Sequence, residues 1–275
     1  MTPTIAFLGC GSMSEAILAG LLATGFSPHH VRATVRTRER AAWLAERHGV
    51  AAVATDADPD ANRAAAGAAG LVVLGVKPAL VRPVAVEIAS ALDPQALVLS
   101  VAGAVPLASV ESALPAGQPV VRAMPNTPSR IGYGVTALAA GAHASAADRR
   151  RAHDLFTTVG WAVEVPEEQI DAVGTLSGSG PAYVFYLTEA MAEAGVRLGL
   201  PAELARELAA RTVAGAGRML VDGADPTALR RAVSSPQGST ERAIATFEQR
   251  GLPDIVAAGA AAAAARTAEI TRELG

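Results

Sequence analysis

A short apolar run at residues 4–8 is broken at once by Gly9-Cys10-Gly11. Such a run before a glycine pair predicts a buried strand entering a tight turn. Ser12-Met13-Ser14-Glu15 then sets a hydroxyl three residues ahead of a carboxylate, the spacing of a helix-capping box, and Ile17, Leu18, Leu21 and Leu22 share one face as far as Gly25. Val31–Val35 reads as a second strand, 39–48 as a helix closed by Gly49, and 71–76 as a strand without polar alternation, hence buried on both faces. Residues 96–101 and Val120–Met124 repeat the pattern. Strands alternating with helical stretches of about ten residues predict right-handed βαβ units and a doubly wound sheet.

Near Val165 the pattern changes to Ala-, Leu- and Glu-rich runs with no further strand. The expected fold is therefore α/β: a Rossmann-type dinucleotide-binding domain over residues 1–163, then an all-α domain over 164–275. Pro181, Pro201 and Pro226 suit helix starts. The helices expected at 181–198 and 201–220 carry Gly195, Gly215 and Gly217, which permit close helix contact, and residues 176–183 read as a flexible lead into the first of them, with simple capping as the other reading. A last helix, 253–274, is dominated by alanine, so its packing partner must come close. An intrachain bundle and a subunit interface serve equally well at this point.

Composition narrows the picture. With 275 residues, 51% hydrophobic and 18% charged, the chain has the apolar content that disordered sequences lack. A net charge of −3 supplies no positive field for phosphate backbones, so nucleic acid is not an expected partner. Long uncharged stretches such as 94–110 are interrupted by Pro, Gly and Ser, and no basic segment precedes the first strand, so neither membrane insertion nor secretion is expected. A single cysteine, Cys10, cannot form an internal disulfide, which points to the cytoplasm. The histidines at 29, 30, 48, 143 and 153 show no metal-ligand spacing and read as surface residues.

Several segments carry candidate chemistry. In Gly9-Cys10-Gly11-Ser12-Met13-Ser14 the first glycine permits the turn, and the second lets backbone amides approach a pyrophosphate at a helix N-terminus. Ser14 stands where a third glycine is usual, and is small enough for the helix to pack closely. A plain strand-to-helix turn would share the two glycines. An acid normally follows the second strand in NAD enzymes, but Arg36, Thr37 and Arg38 stand here. Two guanidinium forks suit a 2′-phosphate, hence NADPH with NADH as the lesser donor; a solvated basic loop is the other reading.

Val76-Lys77-Pro78 and Met124-Pro125-Asn126-Thr127-Pro128 end strands at the edge where open α/β sheets bind ligands, which makes Val76, Lys77, Pro78 and Asn126 cofactor candidates. Lys77 is the only lysine, and as a side chain reads as a surface group. Ser234-Ser235-Pro236-Gln237-Gly238-Ser239-Thr240 gathers four hydroxyls and free amides before a helix, a nest suited to a carboxylate, although a linker could look the same.

GCGSM at 9–13, VKP at 76–78, MPNTP at 124–128, LSGSGPAY at 176–183 and VSSPQGST at 233–240 together resemble pyrroline-5-carboxylate reductase, the enzyme of the last step of L-proline synthesis. The resemblance spans nearly the whole chain. It departs at Gln237, where the family usually carries the first glycine of SPGGTT or SPGGAT, and at Ser12, where Asn or Gln is frequent. It implies hydride transfer from NAD(P)H to the ring carbon of a cyclic imine. By position Gly9, Cys10, Gly11, Ser12 and Met13 would hold the cofactor, and Ser235, Gly238 and Ser239 the substrate carboxylate. Thr240 would bond the ring nitrogen as the catalytic group. A protonated imine is already electrophilic, so no metal, strong acid or covalent lysine is required. The resemblance also implies dimers interlocked through the C-terminal helices, and decamers in several members. A β-hydroxyacid dehydrogenase would place a lysine on the helical domain, where this chain has none. An NADPH-binding sensor without turnover is the reading from another functional class.

Overall fold

The computed structural model describes residues 4–221 and 223–274; residues 1–3, part of the lead-in to the first strand, lie outside the described residues. Two compact units emerge, one of residues 4–178 with 264–274, the other Ser179–Ala263. The division falls after Gly178, later than the change of composition near Val165 indicates.

In the first unit the chain runs β1 (Ile5–Leu8), α1 (Ser12–Ala23), β2 (Val31–Val35), α2 (Arg38–His48), β3 (Ala51–Ala54), α3 (Ala61–Gly67), β4 (Leu71–Leu74) and α4 (Pro78–Ile88). It continues through β5 (Leu97–Ser100), α5 (Leu107–Glu111), β6 (Val120–Met124), β7 (Gly134–Ala140), α6 (Ala146–Thr157), β8 (Gly160–Glu164) and α7 (Glu167–Val173). The sheet order is β3-β2-β1-β4-β5-β6-β7-β8. Every pair is parallel except β6 with β7. The expected doubly wound, Rossmann-type arrangement is therefore present.

Alternate residues of each strand face opposite layers. Ile5 and Phe7 join Ile17, Leu44 and Phe156 on the side of α1, α2 and α6. Ala6 and Leu8 join Ala65, Ile88, Val110 and Ile170 on the side of α3, α4, α5 and α7. Ile170 is fully buried there, which is why α7 belongs with the sheet. Arg122, buried on β6, reinforces this by donating to Asp171 Oδ1 (2.6 Å) and Glu167 Oε1 (3.4 Å) on α7.

Three local expectations are corrected. Gly11, not Ser12, is the N-cap of α1, and no side chain caps it. The turn forces this, because the Gly11 N–H closes on Gly9 O (2.7 Å) and the helix starts before Ser12 could serve as cap. A true capping box with the same spacing lies at Ser145 and Asp148. His48 is not a plain surface residue: only 11% of its side chain is exposed, and Nε2 lies 3.2 Å from Glu15 Oε1. Finally, the lead at 176–178 is helical, completing a π-helical turn, Gly174–Gly178.

The second unit holds α8 (Gly180–Arg197), α9 (Ala202–Arg218), α10 (Pro226–Ala232) and α11 (Ser239–Gln249), and α12 (Leu252–Leu274) begins there. Pro181 and Pro226 occupy first turns as expected, while Pro201 is the N-cap of α9. Close approach at Gly195 is real, since a Cβ there would meet Ala205 Cβ at 3.1 Å. Among the described residues the unit buries only Ala192, Ala205 and Ala209, while Phe185, Tyr186, Leu204, Leu208, Phe247 and Ile255 stay exposed. Exposed large apolar side chains of this kind are what association faces carry. No helix among the described residues is long and apolar enough to cross a membrane.

Candidate active site

The order β2-β1-β4 makes the carboxyl edge between β1 and β4 the topological switch point, where open α/β sheets leave a crevice for ligands. Leu8 pairs with both Thr34 and Leu74, so Gly9, Arg36 and Gly75 emerge along the same edge. Gly9 has φ +75°, a left-handed conformation that favours glycine, and a Cβ there would collide with Val76. This close approach brings Val76-Lys77-Pro78 against the loop. A buried polar chain fixes the turn: Gly9 N–H donates to Thr34 Oγ1 (3.2 Å), which donates to Asn62 Oδ1 (2.7 Å), and Asn62 Nδ2 donates to Glu87 Oε2 (3.1 Å).

Above Gly11 the nearest heavy atom to an added Cβ is Gly9 O at 4.0 Å, and Gly11 and Ser12 are exposed. With α1 uncapped, its first amides face this open space, so the cradle fits a pyrophosphate. Cys10 takes no part as a nucleophile. Burial pushes its thiol up to about 12, overriding the nearby Arg40 charge.

Beyond β2, Thr37 caps α2 by accepting from the Arg40 N–H (3.3 Å), with exposed Arg36 and Arg38 on either side. Among the described residues neither guanidinium enters an ion pair, so both are free for a 2′-phosphate. Arg40 is committed elsewhere, bonded to Glu15 and stacked 4.2 Å over Trp43. Burial acts to raise the Glu15 carboxyl, but Arg40 and His48 together hold it below the ordinary carboxylate range. Glu15, Arg40 and Trp43, with Gly11, Ser12, Arg47 and Arg130, line a cavity of about 460 Å³. Arg130 was not anticipated from the sequence; its signal was a lone cation on the turn after MPNTP.

Asn126 lies just past the carboxyl end of β6, and its side chain is held by two backbone groups. Its Oδ1 accepts from the Val135 N–H (2.9 Å) and its Nδ2 donates to Ser177 O (3.0 Å), tying β7 to the π-helical turn. Lys77 is the exposed N-cap of α4.

In the second unit, Ser235-Pro236-Gln237-Gly238 closes a turn through Gly238 N–H to Ser235 O (2.9 Å). Gln237 has φ +61°, which costs a residue with a side chain about 1–2 kcal/mol. Its N–H donates to Glu241 Oε2 (2.7 Å), and a bond to a carboxylate contributes roughly 1.5–3 kcal/mol, the low end applying to this exposed pair. Gly238 is the N-cap of α11 with no side-chain cap. Among the described residues the hydroxyls of Ser235, Ser239 and Thr240 have no protein partner, whereas Ser234 Oγ turns back to Arg230 O (2.7 Å). Three of the four expected hydroxyls thus remain available beside uncapped amides.

The chain is 41% identical over 276 residues to the pyrroline-5-carboxylate reductase of Pseudomonas aeruginosa, covering 100% of this chain and 99% of that protein. The chain belongs to the pyrroline-5-carboxylate reductase family. The Corynebacterium melassecola relative of the same name is 41% identical, covering 97% of this chain and 98% of its own length. A solved pyrroline-5-carboxylate reductase from Coxiella burnetii superimposes with a TM-score of 0.90 at 36% identity, covering 98% of this chain and 99% of the other. Residues 4–103 match the family described as NADP oxidoreductase, coenzyme F420-dependent, and 167–270 match pyrroline-5-carboxylate reductase dimerisation. The nucleotide half of this family member is therefore that of an NADP oxidoreductase, and its helical half is of the dimerisation type. The exposed apolar side chains of α8, α9 and α11 find their explanation in the latter.

Proposed function

We propose that this protein reduces 1-pyrroline-5-carboxylate to L-proline with NADPH. The observation that carries this reading is the uncapped glycine cradle of α1 in a chain related end to end to such reductases. When bound, NADPH would supply the hydride for the carbon of the protonated ring C=N, whose π electron pair would pass to nitrogen. The first unit holds the dinucleotide: the amides following Gly9, Cys10 and Gly11 take the pyrophosphate, and Arg36, Thr37 and Arg38 take the 2′-phosphate. Val76-Lys77-Pro78 contributes backbone walls. In the second unit, Ser235, Gly238 and Ser239 hold the substrate carboxylate. Thr240 Oγ1 bonds the ring nitrogen and keeps its proton in place. No residue need form a covalent bond, so catalysis reduces to alignment of the two carbons.

The helical unit forms a homodimer through its apolar faces, with a decamer as a further level of assembly, and the protein works in the cytoplasm. These readings rest on the dimerisation family match, the near absence of buried side chains in that unit, and the single reduced cysteine.

The decisive experiment is NADPH oxidation by purified protein with 1-pyrroline-5-carboxylate. Turnover that depends on substrate, and falls in Thr240→Ala with cofactor affinity retained, supports the proposal. Tight NADPH binding without turnover would favour a non-catalytic sensor.

A further inference from the structure

We infer that Glu241 is a positioning residue that holds the turn Ser235-Pro236-Gln237-Gly238 in a conformation its own sequence disfavours. The turn has proline at its second position, a positive φ at its third and a hydrogen bond between its ends, the marks of a type II turn. Type II strongly favours glycine at the third position, where this chain has Gln237. The relaxed alternative is a type I turn, with Gln237 at negative φ and the Pro236–Gln237 peptide rotated by roughly 150°. That rotation would carry the Gln237 N–H away from the Glu241 carboxylate, which accepts from it at 2.7 Å. The contact is available only in the type II form, so Glu241, one turn along α11, selects it. It also sets which way the Pro236 carbonyl and the Gln237 amide face beside the free hydroxyls of Ser235, Ser239 and Thr240. In the type I form the Pro236–Gln237 peptide is reversed, so the backbone dipole beside those hydroxyls differs between the two forms.

The consequence for turnover rests on the substrate role proposed for this turn, but the backbone effect does not. Glu241→Ala is expected to raise KM for 1-pyrroline-5-carboxylate about tenfold, the loss of one charge-assisted contact, with kcat and the Kd for NADPH within about twofold. Glu241→Gln keeps an acceptor and recovers most of the loss. In a Gln237→Gly background, where positive φ needs no support, Glu241→Ala changes KM less than about twofold. An unchanged KM in Glu241→Ala, or an equal rise in both backgrounds, overturns the inference. A crystal structure of Glu241→Ala reads the backbone without any assay: φ at Gln237 turns negative. Retention of positive φ there overturns the inference as well. An inactive wild-type protein would count against the proposed function, while the crystal would still decide the role of Glu241.

Discussion

Gly75, just past β4, lies over the Ser14 hydroxyl so closely that a Cβ on the glycine would overlap the oxygen. Ser14 is buried in the first turn of α1, where the fingerprint usually has a glycine, and small residues on both sides let the helix close on the sheet. Gly75→Ala is expected to push α1 outward and cost roughly 1–3 kcal/mol, as overpacking does. Because α1 carries the pyrophosphate cradle, the Kd for NADPH should rise in the same variant. Ser14→Ala should behave in the opposite sense. Its hydroxyl is buried without a partner among the described residues, so its removal is neutral or stabilising. Urea unfolding with NADPH fluorescence titration separates the two; a Gly75→Ala protein with wild-type stability and affinity would refute this packing argument.

Cys10 gives a chemical readout of the same loop. Its buried thiol stays protonated far above neutral pH, and only a thiolate attacks disulfide reagents. Native protein at pH 8 should therefore leave a colorimetric disulfide reagent unreacted for hours, and denatured protein should consume one equivalent. For the same reason the folded state loses stability as pH rises above 9.0, the ordinary value from which the thiol is raised, because the unfolded chain ionises first.

Glu15 sets an acid limit. Its folded carboxyl lies below the ordinary 4.5, so its contribution is complete above that pH and disappears as pH falls through the lower folded value. Glu15→Gln is expected to cost roughly 1.5–3 kcal/mol at pH 7, the range for hydrogen bonds to charged groups. Thermal melts of variant and wild type should converge below pH 4.5. A constant difference across that range would mean that Arg40 and His48 are not held by this charge.

Much of this architecture could be read from residue patterns because hydrophobic burial wrote it there. Val31–Val35 and Val120–Met124 are strands with the expected bounds, and Gly49 closes α2 in a left-handed conformation. The parts that escaped are those decided by distant partners. Nothing near Glu15 announces that Arg40 and His48 will claim it, so a Ser-x-x-Glu spacing that looks like a cap is not one, while Ser145 and Asp148 satisfy the same pattern locally. Asn126 looks displayed by its flanking prolines, yet Val135 and Ser177 take its amide from opposite sides. The β3 strand, Ala-Ala-Val-Ala at one sheet edge, is too bland and too exposed to stand out.

Cofactor preference should reside in Arg36 and Arg38 rather than in the more elaborate arginine cluster next to them. Arg40 is closer to burial, but its guanidinium already bonds Glu15 and stacks on Trp43, so taking a phosphate would require breaking both contacts. Arg36 and Arg38 give up nothing to reach an anion. Each charge-assisted bond contributes roughly 1.5–3 kcal/mol, so replacing both should lower the NADPH-to-NADH affinity ratio at least about tenfold, through weaker NADPH binding alone. Arg40→Ala should instead lower the melting temperature and leave that ratio within about twofold, since the 2′-phosphate never depended on it. Fluorescence titration with both nucleotides at two salt concentrations reads all of this, because loss of a phosphate contact also flattens the salt dependence of NADPH binding. If Arg40→Ala alters the ratio and the double variant does not, the 2′-phosphate lies over α2 in the cavity beside Trp43, and the loop after β2 is only a solvated connection.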